Sequence, residues 1–484
     1  MKLLLYSSVA ATLILSSCGK SFLEVDPIGK LGKEQVFRDI VGLKNALDGS
    51  YNLMARYHMN EYGVYGDLRG DDVAFRTGIS SPVMQTEFNY VANDQDEAGA
   101  TRLMWGNGYA ALNNINNIIN GAEPFLESSI DKAQATSILG QALLLRALCN
   151  FDMTNIYAQQ YNYSPDASHL GIPILLKTPP AGTHVARESV SAVYAQILAD
   201  IEQCIQLLSQ NPNVPTKIYA SVDAAKALRA RIYLYMGQYQ NVVNQTSELI
   251  TPNKYPLVSS ADYKKMFTAS AQRTDYTSIA SEVIWQFNLE KYAKGTVQHL
   301  FSEPVEYQYY AAPGYVSLFS DQDIRKTMLQ IDPATNYYRS IKYGKEDGVI
   351  NDNWPLNVKV VRSAELYLNR AEANFRLGNY AEAVSDIKLL QARARNVSTD
   401  LITIAYTTPE ELFTIIKLER RKELGFENQR IYDIMRYKES LNRGTGCTSN
   451  LCQLTYPNDR FIMPIPRSEL DINPLMQPNP TVNQ

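Results

Sequence analysis

Cys18 is the first residue whose neighbours define a chemistry for it. It follows Leu15-Ser16-Ser17, a branched residue and two small ones. Before these, Lys2 supplies a positive start and Leu3 to Leu15 a mostly apolar run interrupted by Ser and Thr. That run is too short for a membrane-spanning helix, which needs about 20 apolar residues. It has the length of a signal-peptide core. The pattern is a lipobox, so the chemistry expected at Cys18 is acylation. Diacylglycerol would join the sulfur, and a further chain such as palmitate the new N-terminus. Each buried CH2 contributes roughly 0.8 kcal/mol, and more than one chain makes anchoring stable. Residues 1–17 then read as signal peptide and 18–484 as one mature domain.

Other reactive groups are sparse. The four His are His58, His169, His184 and His299; none forms HExxH or a close pair, so no zinc site is expected. There is no GxSxG, Walker A or GxGxxG pattern. No cofactor, metal or catalytic residue is assigned. Asp71-Asp72 reads as a helix cap or loop brace. Glu419, Glu423 and Glu427 recur every four residues in "LERRKELGFENQRIYDIMRY" (418–437). As one helical stripe they would repel unless paired. A charge network is expected, with Arg420, Arg421, Arg430 and Arg436 nearby. Cys149 and Cys204 lie in helical patterns and read as buried thiols. Cys447 and Cys452 flank "TSNL" in a Gly-containing loop. They could bridge in an oxidising compartment or stay reduced; a metal pair lacks a second pair of ligands.

The elements that must position these residues are mostly helices. Apolar residues recur at helical spacing over 102–126, 130–157 and 189–210, the last capped by Ser189 or Ser191. The stretch 224–243 aligns with 365–384: Ala230 falls on Ala371, Gly237 on Gly378 and Tyr239 on Tyr380. A small residue, a Gly-x-aromatic turn and a second helix make the tetratricopeptide (TPR) pattern. Segments 158–188, 251–353 and 437–463 are rich in Pro, Gly, Asn and Tyr and read as insertions holding a few short strands such as "SEVIWQFNL" (281–289). The predicted fold class is thus mostly α: a TPR-like helical-repeat scaffold carrying loop-rich insertions. Its N-terminal part runs to about residue 290 and its C-terminal part from about 291 to 484. A net charge of -4 gives no footing for nucleic acid. The 32 Tyr stand against 14 Phe and 3 Trp. Most are expected at helix seams, while Tyr also suits wet interfaces and sugar rings. Trp105 and Trp285 are expected in the core.

Five blocks, in order, carry a resemblance. "CGKSFLEVDP", "WGNGYAALNNIN", "VVRSAELYLNRAEA", "ERRKELGFENQRIYDIMRY" and "FIMPIPRSELDINPLMQPNP" run from Cys18 to the C-terminus. They resemble the signature stretches of the SusD/RagB family of outer-membrane lipoproteins. The closing "QPNP" departs from the family's usual ending. The resemblance implies about four TPR-like helix pairs and display on the exterior of the outer membrane. It implies a SusC-type TonB-dependent β-barrel transporter as partner, and a non-catalytic role in capturing an oligosaccharide for import. A peptide ligand, as in the RagB branch, is the alternative; an anchored glycoside hydrolase is a remote one. It also implies that ligand is held by loops before the Trp105 helix and before residues 360–373. There Tyr90, Tyr309, Tyr310 and Trp354 are the candidates for stacking on a sugar ring. Asp72, Arg76, Asn93 and Asp94 are the candidates for holding its hydroxyls.

Overall fold

The computed structural model describes residues 32–480, apart from 97, 181, 211–216, 269–280, 289–294, 304–305 and 345–356. Cys18 and Trp354 therefore lie outside the described residues. Among the described residues no helix is long and apolar enough to cross a membrane.

The first half is a stack of long helices: α1 (Ile40–Met59), α2 (Glu61–Leu68), α3 (Ala100–Gly121), α4 (Lys132–Tyr157) and α5 (Val190–Ser209). Helix α4 is buried on every side from Ile138 to Tyr157 and packs against α1, α3 and α5. This is why its sequence shows little amphipathic contrast. Ser189 caps α5: its hydroxyl accepts from the Ala192 N–H at 3.1 Å. Trp105 and Trp285 are both buried, at 5% and 0% exposure.

Two helical hairpins follow the aligned sequence stretches. Helices α6 (Val222–Tyr235) and α7 (Tyr239–Ile250) form one, α9 (Ser363–Arg376) and α10 (Tyr380–Arg395) the other, with the short α8 (Ser260–Phe267) between them in sequence. Gly237 and Gly378 turn each hairpin at φ +72° and +83°, which costs a residue with a Cβ about 1 kcal/mol or more. Helix α7 packs on α9, so the two hairpins stack although a long insertion separates them in sequence. Ala230 and Ala371 are fully buried, as small residues must be where paired helices approach. The arrangement is compatible with TPR-like units.

Short antiparallel strand pairs tie the insertions down. Strands β1 (Val73–Phe75) and β3 (Tyr309–Ala311) pair, as do β2 (Val283–Phe287) with β6 (Val358–Arg362), β4 (Leu329–Ile331) with β5 (Tyr338–Ser340), and β7 (Leu441–Asn442) with β8 (Gln453–Leu454).

The glutamate stripe needs correction. Helix α11 (Pro409–Leu424) stops before Gly425, and α12 (Arg430–Arg436) starts afresh. A Cβ at Gly425 would lie 2.0 Å from the Tyr315 hydroxyl, so any larger residue would have to displace the Tyr315 ring. Phe426 and Asn428 then take positive φ. Glu427 therefore sits on the link and not on the helix. The network exists, but its cations come from elsewhere. Glu423 accepts from Arg362 (2.7 Å), Arg393 (2.6 Å) and Arg325 (3.1 Å); Glu419 from Arg325 (2.6 Å); Glu427 from Arg362 and Lys342 (2.7 Å each). Burial opposes ionisation of Glu423, yet Arg393, Arg362 and Arg325 together hold its carboxyl well below the usual range. The arginines expected nearby serve other acids. Arg420 pairs with Asp433 at 2.8 Å, and Arg436 with Glu372.

Candidate ligand-binding face

The β1–β3 ladder brings together the two regions that the sequence singled out. Val73 faces Ala311, Ala74 faces Tyr310, and Phe75 faces Tyr309. The Arg76 N–H donates to Gln308 O and the Ala312 N–H to Asp72 O, each at 2.8 Å, extending the pairing at both ends. Side chains alternate across a strand pair. Val73, Phe75, Tyr309 and Ala311 enter the main core. Ala74, Tyr310 and Ala312 turn the other way and form a separate small cluster with Tyr307 and the half-buried Tyr337.

In that cluster Tyr310 and Tyr337 stack face to face, with centroids 4.0 Å apart and planes 3° apart. Tyr337 is delivered by the turn of the β4–β5 hairpin. Asp332 braces that turn: its Oδ2 accepts from the Tyr307 hydroxyl (2.7 Å) and the Thr335 hydroxyl (2.8 Å), and its Oδ1 from the Ala334 N–H (3.0 Å). Desolvation raises the Asp332 carboxyl, but these hydrogen bonds outweigh it and hold the group below the ordinary range. Arg76 lies over the Tyr307 ring at 4.7 Å and donates to Tyr307 O at 3.3 Å. Burial pushes the Tyr310 phenol up to about 12, so it stays neutral and can donate. Tyr310 is itself only 6% exposed and is covered by Tyr337, so the flat face the assembly offers is the outer side of half-buried Tyr337, backed by Tyr310 and rimmed by a cation, a carboxylate and hydroxyls.

Several expected site residues lie elsewhere. Asp72 is fully buried, and its Oδ1 accepts from Arg421 Nε at 2.5 Å; Asp71 pairs with Arg430 at 2.5 Å. The two acids brace α11 and α12. Desolvation opposes both charges. Arg430 and Arg421 still bring Asp71 below the usual range, whereas burial wins at Asp72 and raises it. Tyr309 is 0% exposed and donates to Val83 O at 2.9 Å. Tyr90 is 4% exposed, under the Arg69 guanidinium at 3.9 Å, and donates to Arg69 O. Neither ring presents a face for stacking, because each fills the core. Asn93 is exposed, its Oδ1 accepting from the Gln95 N–H (2.9 Å), while Asp94 O accepts from the Arg467 N–H (2.8 Å) near the C-terminus. No described contact links either to the Tyr310 cluster. Of the seven ligand candidates among the described residues, the face holds Arg76 and Tyr310. Sequence reasoning missed Tyr307, Tyr337 and Asp332. The doubled aromatic of "TNYYRS" and the alternation in "EYQYY" were the available signals. Cys447 and Cys452 are joined in a disulfide, with Cα atoms 5.8 Å apart.

Two family models match the chain. One, described as the SusD family, covers residues 260–481; the other, described as starch-binding and associating with the outer membrane, covers residues 21–234. The chain belongs to the SusD-like family. A curated relative, SusD-like protein P2 of Formosa agariphila, is 25% identical over 98% of this chain and 99% of its own length. A SusD superfamily protein of Bacteroides thetaiotaomicron shares the fold at TM-score 0.77 and 24% identity, covering 91% of this chain and 100% of that one. A SusD-like carbohydrate binding protein of Bacteroides vulgatus does so at TM-score 0.74 and 21% identity, covering 90% and 97%. The aromatic face thus sits on a SusD-like scaffold of mostly helical architecture, in a family described as associating with the outer membrane.

Proposed function

We propose that this SusD-like protein is a non-catalytic capture protein, anchored through acylated Cys18 on the outside of the outer membrane. It binds an oligosaccharide on the Tyr310–Tyr337 face and passes it to a SusC-type TonB-dependent transporter. The observation that carries this reading is half-buried Tyr337 laid flat on the buried Tyr310, rimmed by Arg76 and Asp332. Flat rings meet the CH face of a pyranose, while guanidinium and carboxylate groups hold paired hydroxyls. Trp354, in the insertion before β6, is a second stacking group for the same ligand. Family membership, and the carbohydrate-binding description of a structural neighbour, support a glycan over a peptide.

The test is a glycan array probed with wild type, then calorimetry with the tightest-binding oligosaccharide. Tyr337→Ala should weaken binding about tenfold or more, equivalent to ~1.4 kcal/mol, with an unchanged melting temperature. Trp354→Ala should behave likewise. Wild-type affinity in both variants would place the site elsewhere on the loops. Binding of a peptide library instead of any glycan would favour the RagB-type reading, and turnover of the saccharide would make the protein an enzyme.

A further inference from the structure

A second concavity, of about 110 Å³, opens between the segment after β3, the end of α10 and the end of α11. None of its lining residues belongs to the Tyr310 cluster. Its wall carries Arg325, Arg395 and Lys422 against a single carboxylate, Asp323, with Ser320 at the edge. The carboxylate is already committed. Its Oδ1 accepts from Arg325 Nε (2.8 Å) and the Arg325 N–H (3.0 Å), and its Oδ2 from Arg325 Nη2 (2.7 Å). Arg325 in turn is saturated, with Nη1 on Glu419 and Glu423. The other two cations are not. The Lys422 side chain is only 18% exposed, yet its nearest carboxylate oxygens stand off at 3.7 Å (Glu419) and 3.9 Å (Asp323). Both distances exceed that of a hydrogen bond. Among the described residues Arg395, in the last turn of α10, has no acidic partner either.

Lysine and arginine are donors only. A pocket whose unspent groups are an ammonium, a guanidinium and a hydroxyl asks for a compact ligand rich in acceptors and negatively charged. Planar guanidinium and compact ammonium are the two groups best suited to oxyanions. We infer that this pocket binds an oxyanion: a sulfate, phosphate or carboxylate group, held by Lys422 and Arg395 with Ser320 donating. Such a group reaches the protein either as a free ion or as an acidic substituent of a saccharide. Because the pocket shares no residue with the Tyr310 cluster, failure of glycan binding there would leave this inference standing.

The probes are sodium sulfate and sodium glucuronate, each titrated by calorimetry and thermal shift with ionic strength held constant by sodium chloride. Saturable binding is expected for at least one of them. Arg395→Ala, a surface change, and Lys422→Gln should each weaken it about tenfold, with circular dichroism showing the fold intact. Sulfate binding alone identifies a tetrahedral ion as the natural group, and glucuronate alone an acidic sugar; binding of both makes the pocket a general oxyanion site. Absence of saturable binding by either probe overturns the inference. So does unchanged affinity in both variants, which would mean an adventitious ion only.

Discussion

One peptide step separates Tyr309, whose ring fills the main core, from Tyr310, whose ring turns to the opposite side of the strand and lies under Tyr337. Both were legible as aromatics in a loop-rich insertion. Which of them faces out depends on the register of a three-residue strand, and a slip of one residue would exchange them. Buried acids show the same dependence on surroundings. Asp67 is wholly enclosed. Its Oδ2 accepts from the Asn428 N–H at 2.6 Å, and its Oδ1 has no partner. Burial, with Asp72 and Glu427 nearby and only partly offset by the Asn428 bond and Lys342, raises its carboxyl from 3.8 to about 8. The folded state then keeps a proton that the unfolded chain has released. Stability falls as pH rises through this window, and the whole cost is present above it. Asp67→Asn keeps the acceptor without the charge. Its stability advantage over wild type, measured by urea unfolding, should grow from pH about 4 to about 8. A pH-independent difference would show that Asp67 is ionised throughout.

Among the elements, the β7–β8 hairpin links the disulfide to the ligand face. Leu441 pairs with Leu454 and Asn442 with Gln453. Beyond them, Thr448 Oγ1 accepts the Phe75 N–H at 2.5 Å, and the Ser449 hydroxyl donates to Phe88 O at 3.2 Å. The bridged loop thus clamps β1, the strand that aligns Tyr310. Closing so short a loop stabilises by roughly 2 kcal/mol. Paired Cys447→Ser and Cys452→Ser substitutions should lower the melting temperature and speed exchange of the Phe75 amide, read by hydrogen-exchange mass spectrometry. Unchanged exchange would show that the hairpin holds β1 without its bridge. Helix bounds and hairpin turns were legible in advance because they follow local periodicity and glycine placement. The need for glycine at position 425 was hidden, since the group that crowds it is the hydroxyl of Tyr315, far away in sequence.

For the whole molecule, the prediction concerns attachment. The described residues contain no membrane-crossing helix, and the family is described as associating with the outer membrane. Cys18→Ala should move the protein from the membrane fraction to the soluble one, or leave an unprocessed precursor. Unchanged fractionation and an unchanged N-terminal mass would refute acylation at Cys18. The order of five motif blocks, the helical class and the matching hairpins were determined by the sequence alone, because periodicity, turn glycines and local patterns are written within a few turns of chain. Tertiary structure decided which cations neutralise Glu423, since Arg325, Arg362 and Arg393 arrive from a 3-10 turn, a strand end and a helix end. It also decided that Asp72 braces α11 through Arg421 while Asp332 rims the aromatic face. A side chain's type limits what it can bond to, but only the packing of distant segments, with their burial and strand register, determines which partner it meets and whether water or a ligand can reach it.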